Sequence, residues 1–181
     1  MKKFELTNEF ITNMFGTKLF RIRALVEFGD VEAGELGGYV EKESNLGHDD
    51  NAWVYGDAQV SGDARVYGNA RVYGNAWVYG NAWVYGNAWV YGNALVCSDE
   101  DYAYAHGFGS VNRTTTFFRL KDGGVGVRCG CFYGTLAQFR DKIRETHGET
   151  KKAQEYLMLA DLMELRFEED ENEVGNRKYV E

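Results

Sequence analysis

The chain has 181 residues, with 20 Lys+Arg against 28 Asp+Glu and a formal net charge of −8. This acidic balance excludes unspecific nucleic-acid binding, which needs a basic surface to displace counterions. The length fits one domain with appendages. Three cysteines, an odd number, read as reduced thiols, and MKKFELTNEF has no apolar stretch after its lysines, so we expect a soluble cytoplasmic protein without signal peptide or membrane span.

Residues 1–36 read as an N-terminal strand and cap region, in which 18–25 (KLFRIRAL) is strand-like after a Gly16-Thr17 turn. Residues 37–98 hold a repeat. Read in sixes from Asn51, the chain runs NAWVYG, DAQVSG, DARVYG, NARVYG, NAWVYG, NAWVYG, NAWVYG and NALVCS without insertion. Valine falls at 54, 60, 66, 72, 78, 84, 90 and 96, and alanine precedes each by two. A period of six suits neither an amphipathic helix nor a long alternating strand. It suits a coil of three short strands with a turn after each. β-Branched valine then points inward, and small alanine sits inward near a tight corner. Glycine and Asn/Asp take the turn because both tolerate left-handed backbone angles. The residues on either side of valine point outward: Trp, Arg or Gln before it, Tyr, Ser or Cys after it. Upstream, Val40 with Ser44 fits the same pattern and Leu46 lies six after Val40. Leu46 to Val54 is eight, which puts two extra residues near 48–50.

Residues 99–134 read as a β-hairpin region, with 114–120 (TTTFFRL) paired to 125–132 (VGVRCGCF) across an Asp-Gly-Gly turn. Residues 135–181 read as C-terminal helices and an acidic tail. Thr135 and Gln138 form a capping box, Leu136, Phe139 and Ile143 the apolar stripe, and Gly148 the stop. A second helix, about 150–167, buries Tyr156, Leu159, Met163 and Phe167. The tail from Glu168 is expected to be frayed or disordered.

The pattern Val-x-Gly-Asn/Asp-Ala-x resembles that of hexapeptide-repeat proteins, which place an aliphatic residue at one position and a small one four later. Val54 with Ala58 through Val90 with Ala94 match it. The resemblance implies a mainly β fold: a short left-handed parallel β-helix with flanking strands and a C-terminal two-helix segment. The flanks FRIRALVEFGDVEAGELGGYVEKESNL, TTTFFRLKDGGVGVRCGCFYGTLAQF and ETHGE resemble a group of hexapeptide-repeat proteins associated with phages and prophages. This implies a phage-linked setting and carries over no functional residue.

The outward residues are the candidate chemistry. Stacking every third hexapeptide puts Tyr55, Tyr73 and Tyr91 on one face and Tyr67 and Tyr85 on another, with Tyr79 between Ser61 and Cys97. Trp53 and Trp89 flank Arg71, Trp77 lies between Gln59 and Leu95, and Trp83 stacks on Arg65. Bare, this would be a large apolar area for a soluble monomer. Self-association or packing by the flanks covers it in one reading, with a homo-oligomer, favoured as a trimer, as its leading form. In the other, Trp77, Trp83, Trp89, Tyr79, Tyr85, Tyr91 and Arg71 form a ligand or partner site, since Trp and Tyr suit interfaces and stacking. The charges within 51–98 sum to zero, which argues against a DNA-mimicking face. The segment 106–113 is glycine-rich and could cradle an anion, with Asn112 and Arg113 alongside. Cys129 and Cys131 alternate on a strand and point to one side; they read as small strand residues sooner than as a metal or redox pair.

No cofactor or metal is expected, and no catalytic residue is assigned. Acyltransferases that share the repeat use a histidine on a coil or loop, but 51–98 contains none, leaving His48, His106 and His147. Shape alone does not decide activity. The reading is therefore a non-catalytic, phage-encoded binding protein of the host cytoplasm. It would block a host protein or sequester a nucleotide-type signal as an anti-defence device. An acyl-CoA-dependent acyltransferase and a structural or carbohydrate-binding phage component are the alternatives.

Overall fold

The structure, a computed structural model, describes residues 2–109 and 113–168. Each hexapeptide contributes a two-residue strand ending in its valine: β4 (Trp53–Val54), β5 (Gln59–Val60), β6 (Arg65–Val66), β7 (Arg71–Val72), β8 (Trp77–Val78), β9 (Trp83–Val84), β10 (Trp89–Val90) and β11 (Leu95–Val96). Strands pair in parallel with every third one, at a step of 18 residues also seen in the Asn51–Asn69 side-chain bond. The result is a β-solenoid of about three coils with three faces. All eight valines and all eight alanines are fully buried, as their inward assignment requires. The turn glycines have positive φ, 60° to 73° from Gly56 to Gly92. There a side chain is strained.

Upstream, β1 (Phe4–Thr12), β2 (Lys18–Ala24) and β3 (Leu36–Val40) form an antiparallel meander. β3 joins the solenoid in parallel, making one six-stranded sheet of order β1-β2-β3-β5-β8-β11. Val40 pairs with Val60 and Leu46 bridges Val66, so the first coil is two residues longer than the rest, as the 48–50 spacing required. One detail differs. Ser44 is exposed and does not fill the small inward position. Glu43–Asn45 is a turn of 3-10 helix, and buried Asn45 takes that role. Its Nδ2 donates to the carbonyls of Gly62 (3.1 Å) and Ala64 (2.8 Å), which gives a polar side chain a reason to point inward.

The far end uses the same device. Asp99–Asp101 is again 3-10, with Asp101 buried. The step of six continues to Tyr102, which is buried in the solenoid core. Tyr102 opens β12 (Tyr102–Phe108), first strand of an antiparallel sheet with β13 (Arg113–Arg119), β14 (Val125–Cys129) and β15 (Phe132–Thr135). The sequence expectation covered only β13 and β14. The segment read as an anion-cradling loop is in part strand, since His106–Phe108 ends β12 and Arg113 begins β13; Asn112 lies outside the described residues. This sheet separates two cores. Phe118 faces the solenoid and its neighbour Phe117 faces the helices, because adjacent strand residues point to opposite sides.

The helices are α1 (Leu136–His147) and α2 (Lys151–Phe167). The Thr135/Gln138 capping box, the buried Leu136, Phe139 and Ile143, and the Gly148 stop are all present. α2 buries Tyr156, Met163 and Phe167 as expected, with Ala153 and Ala160; Leu159 is half-buried instead. Gly130 (φ 59°) turns the chain between β14 and β15. Cys129 and Cys131 therefore do not face one side: Cys129 is buried, its Sγ 3.1 Å from Thr115 Oγ1, and Cys131 is exposed. Among the described residues, no helix is long and apolar enough to cross a membrane.

Candidate functional site

Residues 75–92 are three identical hexapeptides, NAWVYG, and they fill one complete coil. Each face of that coil therefore presents the same outward pair, Trp and Tyr. The surroundings of the three pairs differ.

On the β10 face, Trp89 lies under two cations: Arg71 from the preceding coil at 5.4 Å and Arg128 from β14 at 5.4 Å. Arg128 also covers Tyr91 at 5.0 Å, and the Tyr133 ring is 4.9 Å from Tyr91. Along the same column Tyr55 and Tyr73 stack at 4.1 Å and 6°. Asp30 ties the column to the N-terminal cap, accepting from Tyr55 Oη at 3.1 Å and Arg71 Nη1 at 2.5 Å. Burial, then the hydrogen bond with Tyr73, pushes the Tyr55 phenol far up, so it stays a neutral donor. Trp53, at the head of this face, is buried under Phe4 and Phe28.

On the β8 face, Lys121 Nζ sits 3.8 Å over Trp77 and donates to the Asn75 carbonyl at 2.7 Å. The Phe15 ring, from the β1–β2 turn, lies 5.8 Å from Tyr79.

The β9 face stands open. Trp83 is 46 % and Tyr85 43 % exposed, more than the other Trp and Tyr residues of the repeat. Arg65 lies 5.5 Å over Trp83, Tyr67 stacks on Tyr85 at 5.4 Å, and Tyr104 meets Tyr85 edge-on at 6.2 Å. Its backbone is rigidly held although no strand follows β9 in this column. Asp99 Oδ1 accepts the Trp83 N–H at 2.7 Å, and the Tyr102 hydroxyl donates to the Trp83 carbonyl at 2.6 Å. Burial raises the Tyr102 phenol well above its ordinary range, which keeps that donor protonated.

The expected site residues thus fall on three faces and do not form one site. Trp77 and Tyr79 share the β8 face, Trp83 and Tyr85 the β9 face, and Trp89, Tyr91 and Arg71 the β10 face. Arg113 is on none of them. It begins β13 opposite Phe108, and its guanidinium occupies the space above Gly130. Arg65, Tyr67 and Tyr104 belong to the β9 face and were not among the expected site residues. The stacking of Arg65 on Trp83 was legible from the repeat, but the approach of Tyr104 was not.

The histidines each have a local partner. His48 stacks on Phe4 at 4.4 Å and accepts the Lys3 N–H at Nδ1 (3.2 Å); His106 Nδ1 is 3.0 Å from Thr114 Oγ1; His147 stacks on Tyr156 at 5.9 Å. Among the described residues, no group of three or more His, Cys, Asp and Glu could hold a metal ion.

The family described as YdcK beta solenoid repeat matches four overlapping stretches, residues 58–74, 64–80, 70–86 and 76–92. These are the regular coils, so the likeness concerns the repeat itself and stops short of the caps. No curated protein matches the chain.

Proposed function

We propose that this β-solenoid repeat protein is a non-catalytic binding protein that holds a partner against its β9 face. The observation that carries this reading is the coil 75–92, in which one surface is presented three times, covered twice from within the chain and left open once, at Trp83 and Tyr85. Exposed Trp and Tyr with a neighbouring Arg are the composition of interface centres. Pinning the Trp83 backbone lowers the ordering cost of binding there.

The phage or prophage setting implied by the flanks supplies a partner, a protein in the cytoplasm of the host. Blocking such a protein requires only occupancy. Sequestration of a nucleotide suits the geometry less well. A base could stack on Trp83, but Arg113, the expected phosphate partner, stands on another sheet. A homo-oligomer, a trimer included, would compete for the same face.

The test is a photo-crosslinker, p-benzoylphenylalanine, placed at position 85 of the full chain expressed in bacterial cells. The expected result is a discrete protein adduct that disappears in Trp83→Ala. A parallel thermal-shift series with cyclic nucleotides, acetyl-CoA and sugars is expected to show no rise in melting temperature. A rise with acetyl-CoA that is abolished by His48→Ala or His106→Ala would overturn the reading in favour of an acyltransferase.

A further inference from the structure

Because the three faces of coil 75–92 share one sequence, the covers on two of them state what this surface accepts. Both covers bring a cation from outside the repeat to the tryptophan: Lys121 to Trp77 at 3.8 Å, and Arg128 to Trp89 at 5.4 Å. Tryptophan presents the most favourable aromatic face for a cation. Trp83 has the cation of its own column, Arg65, as Trp89 has Arg71. Among the described residues, none supplies Trp83 with a second cation matching Arg128.

We propose that a Lys or Arg side chain of a partner protein fills this position, offered on an extended strand together with an aromatic ring. The inference rests on the β9 face being the binding surface and adds the chemistry of the occupant. Two observations commit it. First, carboxylates stand at the corner of this face, among the cations Lys42, Arg65 and Arg166. The corner column leading into β9 is Asp63, Asn81 and Asp99, whereas the one leading into β10 is Asn51, Asn69 and Asn87. Asp63 is highly exposed and pairs at the surface with Lys42 at 2.9 Å, the Asp99 carboxylate accepts the Trp83 N–H, and the column leading into the Lys121-covered β8 face likewise holds one acid, Asp57. Second, the β10 face shows how such a cover is delivered. Arg128 and Tyr133 are direct cross-strand neighbours on β14 and β15, and together they cover Trp89 and Tyr91. Strand side chains on one side can place a cation and a ring at this separation. Carboxylates at the rim also raise the association rate of a cationic segment and make it salt-dependent.

The experiment selects a random-peptide display library on the full chain and measures the selected peptides against wild type, Trp83→Ala, Tyr85→Ala and Asp63→Asn. Both aromatic substitutions are at exposed positions, and circular dichroism checks that the fold is kept. The expected peptides carry Lys or Arg alternating with an aromatic residue. Their affinity falls about tenfold or more in Trp83→Ala, and it weakens with salt and in Asp63→Asn. Peptides that need Trp83 but carry no cation would overturn this inference while leaving the binding face intact. Peptides indifferent to Trp83→Ala and Tyr85→Ala would overturn both. If light scattering shows an oligomer that Trp83→Ala dissociates, the occupant is a second copy and the inference fails.

Discussion

At the scale of single residues, Asp101 carries the end of the repeat. One oxygen, Oδ2, accepts from Cys97 N (2.9 Å), Cys97 Sγ (2.9 Å), Ser98 N (3.0 Å) and Ser98 Oγ (3.2 Å), while Oδ1 lies 3.4 Å from Arg119 Nε. Burial alone would raise its pKa, but these donors and the Arg119 charge outweigh burial and hold it below the usual carboxylate value. A carboxylate depressed in the folded state contributes stability above its unfolded pKa of about 3.9 and loses it as pH falls through the lower native value. Asp101→Asn is therefore expected to cost about 3 kcal/mol at neutral pH. The gap to wild type should narrow as pH drops below about 3.9, read by urea unfolding at both pH values. This role was hidden in the sequence because the Gly-Asn signature ends at Asn93, although the step of six runs on to Tyr102.

At the scale of elements, the corner columns are the sensitive points. A Cβ at Gly74 would lie 3.2 Å from the Gly92 backbone, at φ +69°, whereas at Gly56, φ +60°, it would meet nothing within 4 Å. Gly56→Ala should thus cost about 1 kcal/mol from backbone strain alone, and Gly74→Ala about 2–3 kcal/mol because the next coil must also shift. Thermal melts of the two variants side by side check the difference; equal losses would contradict the stacked-corner geometry. Elements whose signal is local were legible. Both helices followed from caps and spacing, and the two extra residues near 48–50 from simple counting. The Cys129/Cys131 reading failed because Gly130 turns the chain at a point where an alternating strand looked continuous. The Ser44 reading failed because Asn45 finds carbonyl partners only in the next coil.

At the scale of the whole molecule, the caps are keyed to particular faces. Tyr104 Oη seats against Gly86 and Tyr133 Oη against Gly92, so the C-terminal sheet reads the rotational phase of the last coil. Deleting residues 75–92, one full coil, leaves the same corners facing the caps, at Gly68 and Gly74. Deleting residues 75–80 alone turns every face by one strand. The first deletion is expected to give a folded protein with a lower melting temperature, because solenoid stability is a sum over neighbouring coils. The second should unfold or expose its core. Calorimetry with a dye for exposed apolar surface distinguishes them, and a stable six-residue deletion would refute the keyed caps.

The repeat by itself determined the solenoid, its inward valines and alanines and the vertical order of its outward rings, because all of these follow from a period of six and from side-chain size. It could not determine which of three identical Trp-Tyr pairs stays open. That was decided by Lys121, Arg128, Tyr133 and Phe15 folding back from distant parts of the chain onto two faces, through long-range contacts that leave no local period to read.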